Sequence, residues 1–137
     1  MQLKHTTKLA HAPVKVVNLA MEGHLELRRQ HDHVLEFLTG NESTLWAEDD
    51  RGRPLGVLLW TPRRFDTCWW VELAYVPKSL RRAGVFWRLR ERMYELAKEA
   101  GVQCIESIVS IDNEAVIGSF DKRGQAPANF HYRSFVR

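Results

Sequence analysis

Apolar residues between positions 82 and 100 fall at Val85, Leu89, Met93, Leu96 and Ala97, one stripe along a helix, and Gly101 stands where a helix stop belongs. The same spacing marks 13–21 through Val16, Leu19 and Ala20, and 23–38 through Leu27, Val34, Leu35 and Leu38. Gly40-Asn41 closes that section with turn chemistry. Beyond it the pattern changes. Residues 43–48 and 54–61 are apolar and β-prone, and Asp49-Asp50-Arg51-Gly52 between them predicts a hairpin. A third such run, 67–76, holds Trp69, Trp70, Val71, Leu73, Tyr75 and Val76. Residues 2–6 read as a short first strand, 104–109 as a strand after the long helix, and 130–136 as a last strand. Asp112 offers an N-cap to a helix through Lys122, which Gly124 ends. The order is strand, two helices, a three-strand meander, helix, strand, helix, strand. It predicts one α/β domain over 1–137, with no repeat, linker or low-complexity segment.

Composition narrows the class. A chain of 137 residues with 45% hydrophobic content can build one core. No apolar run approaches the roughly 18 residues of a membrane span. The opening MQLKHTTKLAHAP is charged and polar without an apolar signal core, so a cytoplasmic protein is expected. Cys68 and Cys104 are far apart in apolar surroundings, and two buried thiols are expected rather than a disulfide. No close cysteine pair suggests zinc, and His31 and His33 at i and i+2 of a helix face different directions, so no metal is expected. The net charge of +3 and pI near 9.1 come without a long block of like charge and do not call for nucleic acid.

The basic residues do gather locally. Lys78, Arg81, Arg82, Arg88, Arg90 and Arg92 stand against Glu91 alone between 78 and 92. A strand, a basic turn containing Gly84 and then a helix form an anion-site architecture, because the first helical amides lack an intrahelical acceptor and the helix dipole favours negative charge there. The plainer alternative is that both arginines are solvated and Gly84 only turns the chain.

Residues from Val76 onward resemble motif A of the GCN5-related N-acetyltransferase (GNAT) superfamily, Q/R-x-x-G-x-G/A after a strand ending in a V-x-P-like turn. Val76 and Pro77 end the strand, Arg81 fills the first motif position and Gly84 the fourth, while Phe86 departs at the sixth. Downstream, Asn113, Val116, Phe120 and Gly124 match the spacing of the family's N-x-x-A-x-x-x-[YF]-x-x-x-G pattern, with Gln125 in place of the usual aromatic. The resemblance implies a mixed central β-sheet flanked by about four helices, with acetyl-CoA as co-substrate wedged between the strands at 72–76 and 104–109. It implies pantetheine pairing near Tyr75 and Val76, and pyrophosphate on the amides of Arg82, Ala83, Gly84, Val85 and Phe86 beside Arg81. Asn113 would stand near the thioester.

The activity so implied is transfer of an acetyl group from acetyl-CoA to a primary amine by direct attack on the thioester. Glu72, a carboxylate between Val71 and Leu73, is the candidate base, with a solvated carboxylate beside Arg63 or Arg64 as the plain alternative. Glu106 and Ser110 are weaker candidates. Many family members carry a tyrosine where Phe120 stands, so Tyr132 or water is left to protonate the departing thiolate. Trp69 and Trp70 alternate across a strand, one towards the core and one towards a cleft or partner. Glu22, Glu26, Asp32 and Glu36 lean towards a cationic acceptor, small molecule or protein, with Arg28 and Arg29 opposing. Too few residues follow Gly124 for two full strands, which leaves an open strand edge and predicts a homodimer. Phe86, Phe120 and Gln125 favour a second reading, a catalytically silent GNAT-like binding or assembly protein such as some phages encode.

Overall fold

The computed structural model describes residues 1–31, 38–63, 67–108, 126–128 and 131–136. Strand β1 (Gln2–Thr6) leads through a 3-10 turn at Leu9–His11 to helix α1 (Val14–His31). The meander follows as β2 (Ser43–Glu48), β3 (Pro54–Pro62) and β4 (Cys68–Tyr75), then a 3-10 turn at Lys78–Leu80, helix α2 (Val85–Glu99) and β5 (Cys104–Ile108). Two short strands, β6 (Ala126–Ala128) and β7 (His131–Phe135), close the order. All seven form one sheet in the order β1-β2-β3-β4-β5-β7-β6. Only β4 and β5 run parallel, so the sheet is mixed.

Strand β2 is buried at four consecutive positions and β3 at five, which requires cover on both faces. The helices supply it. Helix α2 lays Val85, Leu89, Met93 and Ala97 on Leu45, Ala47, Leu58 and Trp60. Helix α1 lays Val16, Leu19 and Ala20 on Trp46, Val57, Leu59, Leu73 and Tyr75 of the opposite face. Each fully buried Val, Leu or Met contributes about 1.5–3 kcal/mol, so the α2 stripe alone fixes that helix to the sheet.

Three expectations need correction here. The helices expected over 13–21 and 23–38 are one helix as far as His31, running through Gly23. A Cβ at Gly23 would lie 2.4 Å from Cγ of Tyr75, so this glycine permits close packing and does not break the helix. The described residues accordingly hold two α-helices where about four were expected, and the helix expected over 112–122 lies outside them. The last strand is not itself the open edge either: β7 pairs with β5 on one side and β6 on the other, and the edge at this end of the sheet is the three-residue β6. Finally, Cys68 and Cys104 are not separate thiols. They face each other across the parallel register with Cα atoms 4.6 Å apart and are joined as a disulfide.

Candidate functional site

The parallel ladder between β4 and β5 is short. It joins Cys68, Trp69 and Trp70 to Cys104, Ile105 and Glu106, and β4 then continues to Tyr75 without β5 as a partner. Past the ladder, β4 runs on into the segment from Val76 to Gly84. Along that segment Arg82 and Gly84 both take positive φ, 70° and 80°, and the chain reverses directly into α2. The amide of Arg88 bonds the carbonyl of Gly84, so the amides of Val85, Phe86 and Trp87 precede the first intrahelical bond. They open on a pocket of about 380 Å³ lined by Val76, Leu80, Arg81, Arg82, Gly84, Val85, Phe86 and Trp87.

Packing under the loop fixes where those amides point. A Cβ at Gly56 of β3 would meet Cγ1 of Val85 at 2.9 Å and Cγ2 of Val76 at 3.0 Å. Only a glycine there lets the start of α2 sit this close to the sheet. Above the loop the situation reverses, since nothing lies within 4 Å of a Cβ at Gly84. Phe86 is half-buried against the α2-side core and edge-on to Trp87 at 5.0 Å, so its ring forms a wall of the pocket without filling the loop.

Arg81 is committed to its neighbours. Its Nε donates to the Val76 carbonyl at 2.9 Å, and a terminal guanidinium nitrogen lies 3.8 Å from Glu26 of α1. Glu26 also accepts a short hydrogen bond from the Tyr75 hydroxyl, and Glu22 accepts a longer one at 3.3 Å. Tyr75 is buried, and burial together with these two carboxylates pushes its phenol well above the ordinary tyrosine range. The loop after β4 is thereby tied to α1 through one arginine and one acid.

Glu72 stands at an irregularity. Leu59 pairs with Leu73 but Trp60 pairs with Val71, so Glu72 is the extra residue of a bulge in β4. Its Oε1 accepts a 2.8 Å hydrogen bond from the Thr61 hydroxyl. Thr61 pairs with Trp70, which places Thr61, Trp70 and Glu72 on the face opposite Trp60, the α1 side of the sheet. Arg63 lies over the Trp70 ring, 3.8 Å from its centroid. Trp69 points the other way and stacks on Trp60 at 4.9 Å, as the alternation predicts.

Of the residues expected in the site, Tyr75, Val76, Arg81, Arg82, Ala83, Gly84, Val85 and Phe86 fall at the end of β4 and along the loop into α2, with Val76, Arg81, Arg82, Gly84, Val85 and Phe86 lining the pocket, while Glu72 lies in β4 outside that lining. Tyr132 is in β7 opposite Ser107, with its side chain outside the described residues, as are Ser110, Asn113, Phe120, Gly124 and Gln125. The pattern of residue types did not signal Gly56, Thr61 or Trp87. Gly56 looked like an ordinary strand residue, and Thr61 gains its role from a register that only pairing sets.

The family model for the acetyltransferase (GNAT) family matches residues 14–125, and the chain belongs to that family. A search of curated proteins finds no match. Among solved structures, an N-acetyltransferase from Staphylococcus aureus Mu50 superimposes with a TM-score of 0.74 at 15% identity, covering 100% of both chains. N-acetylglutamate synthase from Neisseria gonorrhoeae, complexed with coenzyme A and N-acetyl-glutamate, gives 0.75 at 13% identity over 100% of this chain and 36% of its own. The catalytic domain of Tetrahymena GCN5 histone acetyltransferase, in complex with coenzyme A, gives 0.71 at 10% identity over 100% and 96%. At these identities the likeness is one of fold.

Proposed function

We propose that residues 1–137 are one acyltransferase domain that moves an acetyl group from acetyl-CoA to a primary amine. One observation carries the reading: the β4–β5 ladder ends after three pairs, and β4 runs on alone on that side into a basic loop where the first residues of α2 line a pocket. The residues present fit the co-substrate. Gly84 leaves the loop open above, Gly56 holds the amides in place, and Phe86 borders the pocket from the side. Val85, Phe86 and Trp87 would hold pyrophosphate through backbone amides, with Arg82 adding charge. Arg81 acts through position, since its guanidinium already serves Val76 and Glu26.

When bound, acetyl-CoA supplies an activated acyl carbon with a thiolate as leaving group. The chain's part is alignment and proton transfer. Glu72, held by Thr61 at the bulge, takes a proton from the incoming ammonium directly or through water. The new C–N bond forms as the C–S bond breaks, and Tyr132 or water returns a proton to sulfur. Glu22 and Glu26 on the α1 side favour a cationic acceptor, either a small molecule or a protein. The second reading, a silent binding protein, draws on Arg81, whose engagement leaves less free charge for phosphate.

Titration calorimetry with acetyl-CoA separates the two. Saturable one-to-one binding, followed by amine-dependent release of free thiol from a panel of primary amines, supports the acyltransferase. Absence of any heat at high acetyl-CoA concentration overturns it in favour of the binding protein.

A further inference from the structure

The paired stretch of β4 and β5 carries chemistry that the acyl transfer does not use. Cys68 and Trp70 share a face of β4, and Cys104 and Glu106 share the matching face of β5, with Cys68 opposite Cys104 and Trp70 opposite Glu106. Cys104 is 4% exposed and Glu106 8%, whereas Cys68 is only half-buried. Cys104 Sγ lies 4.0 Å from Glu106 Oε1, and the two sulfurs and the carboxylate oxygen all fall within 4.8 Å of one another. Three donors thus converge from two strands whose backbones are fixed by the ladder.

The disulfide is one state of this cluster. A dithiol reductant would break the S–S bond, leaving two thiols and carrying away the electron deficit as its own disulfide. Two thiolates and one carboxylate are a donor set suited to a borderline-soft divalent ion such as zinc, at about 2.3 Å from sulfur and about 2.0–2.2 Å from oxygen. Donor atoms around one tetrahedral ion then stand roughly 3.5–3.8 Å apart. The Cys104–Glu106 pair is near that spacing already, and the sulfurs reach it by parting. Without an ion, gathering two thiolates and a carboxylate this close would be costly, and binding the ion to the thiols releases their protons. The half-buried Cys68 side provides the entry route and the fourth position, for water.

We propose that Cys68, Cys104 and Glu106 form a redox-gated site for a zinc-class divalent cation, open when the cysteines are reduced and closed by the disulfide. The ion and the disulfide are alternative links between β4 and β5 at their parallel ladder. A disulfide oxidant would take the electron pair from the bound thiolates, become two thiols with two protons, and release the cation.

The test uses the full chain without a histidine tag, reduced with a phosphine or oxidised with glutathione disulfide, loaded with zinc chloride and then dialysed. Elemental mass spectrometry should find about one zinc per chain in the reduced protein and close to none in the oxidised one. Competition against a chromophoric chelator then gives relative affinities for variants whose folding is checked by circular dichroism. Cys104→Ser should abolish zinc retention, and Cys68→Ser, at the more exposed position, serves the same purpose if Cys104→Ser does not fold. Glu106→Gln should weaken binding by at least the roughly 10–100-fold that loss of an outer-shell partner costs. Zinc-free reduced protein, retention by the serine variant, or unchanged affinity in Glu106→Gln would each overturn the assignment. All of these readouts are independent of acyl transfer.

Discussion

Both helices are docked on the sheet through a glycine, but from opposite sides of the contact. On the α2 side the glycine belongs to the sheet: Gly56 of β3 receives Val85 and Val76, and the helix start sinks towards the strand. On the α1 side it belongs to the helix: Gly23 receives the Tyr75 ring of β4. The consequences differ. Sinking α2 leaves its first amides facing outward into a basic pocket, while seating α1 on Tyr75 brings Glu22 and Glu26 over the end of β4. One side is built from backbone and positive charge, the other from side chains and negative charge. Under the proposed function this difference becomes a division of labour, anion binding on the α2 side and proton handling on the α1 side, with Arg81 joining them.

If that division holds, damage should separate cleanly. Glu72→Gln, on the α1 face, should lower kcat about 10²–10⁴-fold while leaving acetyl-CoA affinity unchanged. The defect should shrink as pH rises and more of the acceptor amine is already neutral, which a kcat profile from pH 6 to 10 would reveal. Gly84→Asp should do the reverse. It adds a negative charge where phosphate is expected and should weaken acetyl-CoA by about 100-fold or more, roughly 2.7 kcal/mol. Space is free around that position, so the fold should survive with a modest penalty for positive φ. Equal acetyl-CoA affinity in Gly84→Asp and the parent would remove the loop from the cofactor site.

The two docking glycines allow a direct contest. Gly23→Ala would push a methyl to 2.4–2.7 Å from the Cβ, Cγ and Cδ2 of a buried tyrosine, close to its backbone, where little can give. Even after the gain of about 1 kcal/mol from replacing a helical glycine, a net loss of about 2 kcal/mol is expected. Gly56→Ala meets methyl ends of Val85 and Val76 at 2.9–3.0 Å, which can turn, so about 1 kcal/mol is expected. Denaturant melts should rank them in that order. Gly56→Ala should also weaken acetyl-CoA because it lifts the helix start, whereas Gly23→Ala should spare it.

These contacts explain which parts of the molecule were legible in the sequence. Helix α2 was, because its burial follows a local period that residue types report directly, and strands β2 to β4 were, because they are continuous apolar, β-prone runs bounded by turn residues. The turn from β4 into α2 was legible too, since Pro77 and Gly84 mark it in a short run of consecutive residues. Helix α1 was read as two, the second starting at Gly23, because a glycine looks alike whether it interrupts a helix or accepts a ring, and the ring comes from Tyr75, 52 residues on. The Glu72 bulge exists only relative to β3, and the Cys68–Cys104 pairing depends on a parallel register between strands 36 residues apart. Strand β6 is Ala-Pro-Ala, three residues with no alternation, and its proline suits an edge.

The smallest effect expected concerns the hydroxyl that closes the α1 side. Tyr75→Phe keeps the ring against Gly23 and removes only the bonds to Glu22 and Glu26. Because both acceptors are carboxylates reached by solvent, the loss should be about 1 kcal/mol near neutral pH. The alkaline limb carries the sharper information. The folded phenol is held un-ionised above the ordinary value of 10.0, so stability is fully present below that pH. Above it the unfolded tyrosine ionises while the folded one does not, and stability falls as pH rises. Tyr75→Phe lacks this titration, so its difference from the parent should narrow between pH 10 and 11 in urea melts. A difference that stays constant across that range would mean that Tyr75 ionises as readily in the fold as out of it. The carboxylates of α1 would then not bear on the end of β4, and the proposed acidic wall of the cleft would lose its support.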